Sequence, residues 1–265
     1  NLPVEIVRQQ NWLEPIAERL QPAIAATLDN SIGAEGAKIL HGTWLGHPLH
    51  VVLTDVPLGS WTAAAVLDLL DITNGNRAVR RAADSAISVG LFAATLTAVT
   101  GLADWSKIGG GESRRIGLAH GLLNVTATAC YLTSLCLRLN RSRRAGRQFA
   151  FLGLIVSTFS AYLGGYLVYK KKLGVDHTAD YSSPENFIPV LAEAALPENE
   201  LKRVNADGMP VLLVRKGQRI YAIAETCAHL GAPLSEGTLE GTSVRCPWHS
   251  SRYSLEDGSV LEAPS

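Results

Sequence analysis

The chain has 265 residues, enough for two domains of ordinary size. Its 24 basic and 24 acidic residues cancel to a formal net charge of +0, so it lacks the positive charge that nucleic-acid binding usually needs, and we expect no nucleic-acid partner. Hydrophobic residues make up 47% of the chain but concentrate in its N-terminal part, which indicates two domains of different kinds.

The first segment, residues 1–48, mixes charged residues with short apolar runs. Trp12, Leu13, Ile16 and Leu20 recur at spacings that suit one face of a helix. We therefore expect an amphipathic, interfacial segment that lies against another surface.

Four long apolar runs follow, and each has roughly the 20 residues that a membrane-spanning helix requires. The last three contain no Asp, Glu, Lys or Arg, and the first contains only Asp55 and Asp68. The alternative, buried helices of a soluble all-α domain, fits this lack of charge less well. The sequence predicts a four-helix transmembrane domain over residues 49–170, with spans near 51–70, 85–103, 116–137 and 149–169.

The composition changes after residue 170. A polar linker over residues 171–186 contains Ser182, Ser183 and Pro184. Residues 211–215 and 219–225 are then short β-type runs joined by a tight connection, which is typical of a hairpin. We expect a small antiparallel β-domain over residues 187–265.

Two short motifs in this β-domain carry metal-ligand chemistry. Cys227 and His229 form C-x-H, and after 16 intervening residues Cys246 and His249 form C-x-x-H. Two thiolates and two imidazoles can make a tetrahedral zinc site, but familiar zinc fingers pair Cys with Cys and His with His. Here each motif supplies one of each, which suits a binuclear cluster with both Cys on one iron and both His on the other. A disulfide scaffold is the weaker interpretation of the four cysteines.

These two motifs, with Leu230-Gly231 after the first and Ser250 to Tyr253 after the second, resemble the cluster loops of the Rieske family. The resemblance covers residues 187–265. It implies a small β-sandwich holding a [2Fe-2S] cluster, with the histidine edge at the surface where a redox protein can approach. It also implies that the bound imidazoles couple electron transfer to pH.

The details of the resemblance bear on the reduction potential. Rieske proteins of cytochrome bc complexes carry an extra cysteine in each loop, where this chain has Ala232 and Trp248, so it resembles the ferredoxin branch of lower potential. By contrast, Ser251 and Tyr253 match hydroxyl positions that raise the potential in the other branch.

Ser250 replaces a common glycine, which predicts a strained positive φ there. Relatives continue through further closing strands, which predicts a truncated C-terminus.

The apolar region resembles a family of uncharacterised bacterial four-helix membrane domains that are often fused to Rieske domains. The resemblance extends over residues 40–174 and includes the segment His47-Pro48-Leu49-His50. It implies a lipid bilayer as partner, at a bacterial inner membrane, and no agreed activity. Basic residues are almost equally numerous on the two faces, so they do not assign the side of the cluster domain.

A polar group at the span ends is a second candidate site. With four spans, the start of the first and third and the end of the second and fourth share one face, and the cluster domain follows on that face. The residues at or near these ends are His50, Asp55, Asp104, His120 and Asn124. Polar groups at membrane depth are costly and usually functional. One interpretation makes His50 and His120 haem ligands, another makes the group a quinone site, and a third makes it a set of capped helix ends.

The sequence therefore predicts a membrane-anchored Rieske-type protein that passes single electrons through a two-iron two-sulfur cluster. It favours an electron carrier or an oxidoreductase component over a stand-alone enzyme, because no large soluble domain remains for the mononuclear iron of an oxygenase. A quinol-oxidising or oxygenase-associated component and a cluster-based redox sensor are the alternatives. A redox protein or a quinone is the expected electron partner.

Overall fold

A computed structural model describes residues 2–109, 111–178, 181 and 186–262. The chain divides into two compact units, Asn1–Lys171 and Lys172–Ser265, which are called the N-terminal and C-terminal units below. The former is helical and the latter is built from short antiparallel strands. The predicted linker residues Ser182, Ser183 and Pro184 lie outside the described residues.

Two helices, α1 (Leu2–Arg8) and α2 (Leu13–His41), precede the long apolar helices. Val4, Leu13 and Ala17 are fully or almost fully buried, because α1 packs on α5 and α2 packs on α4 and α5. The Gln21 amide donates hydrogen bonds to the carbonyl oxygens of Trp105 and Ile108 at 2.8 and 2.7 Å, which attaches α2 to the end of α4. The N-terminal segment is thus helical and packed on the bundle.

The apolar runs form α3 (Leu49–Asn74), α4 (Arg77–Ser106), α5 (Glu112–Leu139) and α6 (Arg143–Tyr169). Within the described residues these four helices are long and apolar enough to cross a membrane, by length and composition. Each begins before the predicted span and three of them end beyond it, because polar residues at the ends extend the helices past the apolar core. The predicted four-helix bundle followed by a small antiparallel β-domain is confirmed.

Two antiparallel sheets make up the C-terminal unit. The first has the order β1 (Lys202–Ala206), β2 (Met209–Lys216), β3 (Arg219–Ala224), and the second has the order β4 (Thr238–Glu240), β5 (Ser243–Arg245), β6 (Arg252–Ser254), β7 (Val260–Glu262). The predicted hairpin is β2–β3, where Lys216 pairs with Arg219 and Gly217 takes the positive φ of 59° that the tight turn requires. Alternate residues face a common core, which includes Leu212, Val214, Val244 and Leu255.

The N-terminal unit contains an internal repeat of two helical hairpins, α3–α4 and α5–α6. Residues 70 positions apart in α3 and α5 occupy equivalent places, and residues 63 positions apart in α4 and α6 do the same. The buried positions follow this rule. Trp61 and Asp68 on α3 correspond to Tyr131 and Arg138 on α5, and Gly90 on α4 corresponds to Gly153 on α6.

Equivalent side chains of α3 and α5 meet at the centre of the bundle. The Trp61 and Tyr131 rings stack with centroids 4.1 Å apart and planes 14° apart. Gly90 and Gly153 lie behind these rings, and a Cβ atom would come within 2.2 Å of Trp61 or 2.8 Å of Tyr131. The glycines therefore let α4 and α6 approach closely enough to hold the aromatic pair.

One end of the bundle is held by ion pairs that join all four long helices. Arg138 of α5 donates to Asp68 of α3, with Nη1 2.9 Å from Oδ1, and to Asp84 of α4 at 3.1 Å. Arg143 bridges Asp84 and Asp71 at 3.0 and 3.3 Å. Arg138, Asp68 and Asp71 are each less than 8% exposed, so the charges are stable there only as a paired network.

We expect Arg138→Ala to lower the free energy of unfolding by about 3–5 kcal/mol, because it removes the main partner of the buried Asp68 carboxylate and leaves only the longer contact with Arg143 at 3.7 Å. Reversible unfolding in mixed detergent micelles measures the change. Arg144→Ala is the matched control, because Arg144 is exposed in the first turn of α6, next to Arg143 of the network. We expect it to change stability by less than about 0.5 kcal/mol. Equal stability of the two variants would contradict the structural role of the network.

Candidate metal centre

Two loops of the C-terminal unit hold the predicted ligands. The first begins at Cys227 after β3 and the second begins at Cys246 after β5. Each loop closes in the same way, since the Cys227 N–H donates to Ala232 O and the Cys246 N–H donates to Ser251 O, both at 2.8 Å. In the first loop Gly231 N–H also donates to Cys227 O at 2.8 Å. The two loops thus present their cysteines at equivalent positions.

The two thiols meet in the core of the unit. Cys227 is 1% exposed and Cys246 is 3% exposed. A hydrogen bond from the Cys246 thiol lowers the pKa of Cys227 to about 6, against the burial that would raise it, and the N–H groups of His229 and Leu230 help. The same thiol contact and burial raise the pKa of Cys246 above its ordinary value. Backbone donors aimed at sulfur suit a negatively charged metal thiolate.

The two predicted imidazoles also meet each other. The rings of His229 and His249 lie with centroids 5.0 Å apart and planes 86° apart. In the part of the chain that the structure describes, no three His, Cys, Asp or Glu side chains are arranged around a single ion. A structural zinc site needs four ligands on one ion, whereas a binuclear cluster takes two from the protein at each iron. One sulfur pair and one imidazole pair therefore fit a two-iron two-sulfur cluster.

The two predicted hydroxyl groups lie near each other, and that of Tyr253 lies beside a thiol. The Tyr253 hydroxyl is 3.1 Å from Cys227 Sγ, and burial together with this thiol raises the pKa of Tyr253, so the phenol stays protonated and can donate to sulfur. Ser251 is fully buried near this phenol, but its Oγ makes no hydrogen bond of good geometry to the described residues. A buried hydroxyl of this kind fits a sulfur acceptor supplied by a cluster.

The chain entering the C-terminal unit supports the first loop, which the sequence did not predict. The His177 N–H donates to Ala228 O at 3.0 Å, and the His177 ring nitrogen Nε2 lies 2.8 Å from Lys172 O. Gly231 has φ 76°, and a Cβ atom there would lie 3.3 Å from Nδ1 of His177. Ser250 in the second loop has φ 58°, the positive value that its replacement of a glycine predicts.

The structure brings together three of the five candidate residues of the N-terminal unit. His50 and His120 lie with ring centroids 6.3 Å apart, and the Asn124 amide is 3.1 Å from Nε2 of His120. Asp104 instead pairs with His41, with Oδ1 2.8 Å from Nδ1, and His41 was not among the predicted residues. Asp55 is exposed on α3.

Comparisons with known proteins assign the C-terminal unit. Residues 186–265 match the family model described as "Rieske [2Fe-2S] domain". Ferredoxin CarAc of Metapseudomonas resinovorans is 34% identical over 79 residues, which cover 29% of this chain and 74% of that ferredoxin. The chain belongs to the Rieske family. The ferredoxin component of the naphthalene 1,2-dioxygenase system of Pseudomonas aeruginosa is 34% identical over 80 residues, covering 30% of this chain and 77% of that protein.

The chain is also similar to a solved ferredoxin structure and, in its helical region, to a second family. The ferredoxin of carbazole 1,9a-dioxygenase from Nocardioides aromaticivorans matches 29% of this chain and 76% of that chain at 28% identity, with a TM-score of 0.29. Residues 46–177 match a family described as "Predicted membrane protein (DUF2231)". The predicted resemblances are confirmed, and with them a membrane-anchored Rieske protein that transfers single electrons through a two-iron two-sulfur cluster.

We expect Tyr253→Phe to lower the reduction potential of the cluster by roughly 20–60 mV, because the lost O–H···S bond of roughly 0.5–1.5 kcal/mol stabilises the reduced, more negative state. A redox titration followed by electron paramagnetic resonance measures the shift. Tyr221→Phe is the control, since Tyr221 packs partly buried against the same core. If both variants titrate like the wild type, the Tyr253 hydroxyl does not tune the cluster.

We expect Gly231→Ala to lower the cluster content of the purified protein more than Gly217→Ala does. Both glycines have positive φ, 76° and 59°, so each substitution costs about 1–2 kcal/mol of backbone strain. At Gly231 the new methyl group also presses on His177, whereas at Gly217 it meets nothing within 4 Å. Iron and acid-labile sulfide per chain measure the difference, and equal losses would contradict a supporting role of His177.

Proposed function

We propose that Cys227 and Cys246 ligate one iron of the cluster and that His229 and His249 ligate the other. The observation that carries this assignment is that the two cysteines share one buried cluster while the two imidazole rings lie next to each other. When bound, the cluster takes up and releases one electron at a time. The chain's own contribution is to exclude water from the sulfur side, to donate N–H and O–H groups to sulfur, and to hold the two imidazoles next to each other.

The protein acts as an electron carrier attached to a membrane, and its partner is a soluble or membrane-bound redox protein. The relative from Pseudomonas aeruginosa is the ferredoxin component of a naphthalene 1,2-dioxygenase system, which supports an oxygenase-type electron acceptor over a quinone. Trp248, next to ligand His249, is 55% exposed, and exposed aromatic residues are common anchors at protein interfaces. This surface suits transient contact with a protein partner.

The proposal extends to the domain organisation of the chain. Residues 1–48 pack on the bundle, residues 49–170 span the membrane, residues 171–186 connect the two units, and residues 187–265 carry the cluster. The membrane is the inner membrane of a bacterium, in keeping with the bacterial ferredoxins that the chain resembles. The bilayer keeps the carrier at a surface where membrane-bound partners are concentrated.

We expect the reduced wild-type protein to give the electron paramagnetic signal of low average g value that histidine ligation produces in a binuclear cluster. His249→Ala and Cys246→Ala should each lose bound iron and colour, because either change removes one of the two protein ligands of an iron. His47→Ala and Cys136→Ala are the matched controls, since both residues are exposed, and they should keep the full signal. A colourless wild-type protein that binds only zinc after anaerobic reconstitution with iron and sulfide would refute the assignment.

A further inference from the structure

A pair of identical residues lies where the two helical hairpins meet. His50 near the start of α3 and His120 in α5 are 70 positions apart, as are the stacked Trp61 and Tyr131. The two imidazole rings lie in a T-shaped arrangement, with centroids 6.3 Å apart and planes 89° apart. This pair is at the opposite end of the bundle from the buried ion pairs, because those residues lie near the C-terminal ends of the same helices.

The hydrogen bonds of the two rings fix their tautomers in the same way. Nδ1 of His50 lies 3.0 Å from the carbonyl oxygen of Thr97, and Nδ1 of His120 lies 2.8 Å from that of Ser160. A carbonyl oxygen only accepts, so Nδ1 carries the proton and Nε2 carries the lone pair. The Asn124 amide, 3.1 Å from Nε2 of His120, agrees with this tautomer. Histidine ligands of metals are usually oriented by such a bond from their other nitrogen.

Each ring also rests on a glycine of the neighbouring helix. A Cβ atom on Gly101 would lie 2.7 Å from the His50 ring, and one on Gly164 would lie 3.1 Å from the His120 ring. These glycines are four residues after the carbonyl groups that accept from Nδ1, so one turn of α4 and one turn of α6 position the two imidazoles alike. The glycine and the carbonyl group thus contact each ring on its Nδ1 and Cε1 side, and Nε2 takes no part in this support.

The spacing and tautomers of the two imidazoles limit the ligands that they can bind. Two imidazoles bonded through nitrogen to one metal ion at roughly 2 Å have ring centres about 6 Å apart, which agrees with the observed spacing. Among the described residues no third His, Cys, Asp or Glu completes a site for a bare ion. A haem supplies four nitrogen ligands of its own and needs only two from the protein. An oxidised quinone offers hydrogen-bond acceptors, and these nitrogens carry lone pairs instead of protons.

The two other pairs of equivalent residues in α3 and α5 differ from the histidine pair in one respect. Trp61 and Tyr131 stack, and Asp68 and Arg138 attract, so each of these pairs satisfies itself. Two imidazoles of the same tautomer provide no comparable attraction to each other. Nε2 of His120 accepts from the Asn124 amide, which a bound metal would displace, and Nε2 of His50 has no hydrogen bond to the described residues, a costly state for a polar group at membrane depth. From these observations we propose that His50 and His120 are the two axial ligands of one haem group in the N-terminal unit, which gives that unit a one-electron couple of its own.

The full-length protein, purified in detergent from haem-replete cells and then titrated with haemin, tests this. We expect about one haem per chain by the pyridine haemochrome assay, which does not respond to the iron-sulfur cluster. The oxidised protein should show a low-spin ferric signal that is typical of two imidazole ligands. His50→Ala and His120→Ala should each lower haem affinity by at least about tenfold. His47→Ala is the control, because His47 is exposed and near His50 in the sequence, and it should keep the wild-type haem content.

A variant that loses haem because it misfolds is distinguished by two measurements on the same sample. The cluster content of the C-terminal unit reports whether the chain is intact, and added imidazole should restore low-spin haem to His50→Gly and His120→Gly by occupying the vacated position. Wild-type protein that binds no haemin overturns the proposal, whether or not it binds a quinone. Full haem content in either alanine variant also overturns it, since the proposal needs both ligands.

Discussion

The C-terminal unit depends on holding two loops so that their sulfur atoms meet in a dry core while their imidazoles meet beside it. Thiolates are stable in such a place only if donors surround them, and here backbone N–H groups, a second thiol and the Tyr253 phenol supply those donors. The strands fix where the loops begin, because Cys227 and Cys246 each follow the last residues of a short strand. Loop closure by matching N–H to C=O bonds then sets both cysteines in equivalent positions.

The sequence predicted those parts of the structure that depend on local pattern. Apolar runs of membrane length, the β2–β3 hairpin, and the positive φ of Ser250 follow from composition, turn chemistry and a missing glycine, and the structure agrees with each. The order of Cys and His in the motifs also predicted the proximity of the two cysteines and of the two imidazoles, while their role as ligands stays a prediction. Local rules were sufficient because each of these features is determined within a few residues.

Contacts between distant segments could not be predicted in this way. Asp104 was grouped with His50 and His120 because all lie near span ends, but it pairs with His41, a residue in a helix that precedes the spans. His177 was counted only as another histidine, and its support of the first loop depends on a backbone path that no pattern reveals. The internal repeat had a readable signal, since Gly90 and Gly101 recur as Gly153 and Gly164, but only a self-comparison of the sequence would have found it.

The repeat changes how the polar residues of the bundle should be understood. Equivalent residues of the two hairpins meet where α3 and α5 approach, so identical charges there would repel in a medium of low dielectric. The bundle meets this constraint with opposite charges at Asp68 and Arg138 and with stacked rings at Trp61 and Tyr131. His50 and His120 are identical, and both are held by a carbonyl oxygen and a glycine of the neighbouring helix. If the two imidazoles ligate one haem iron as proposed, the metal takes a lone pair from each identical ring, and the Asn124 amide at Nε2 of His120 gives way to it.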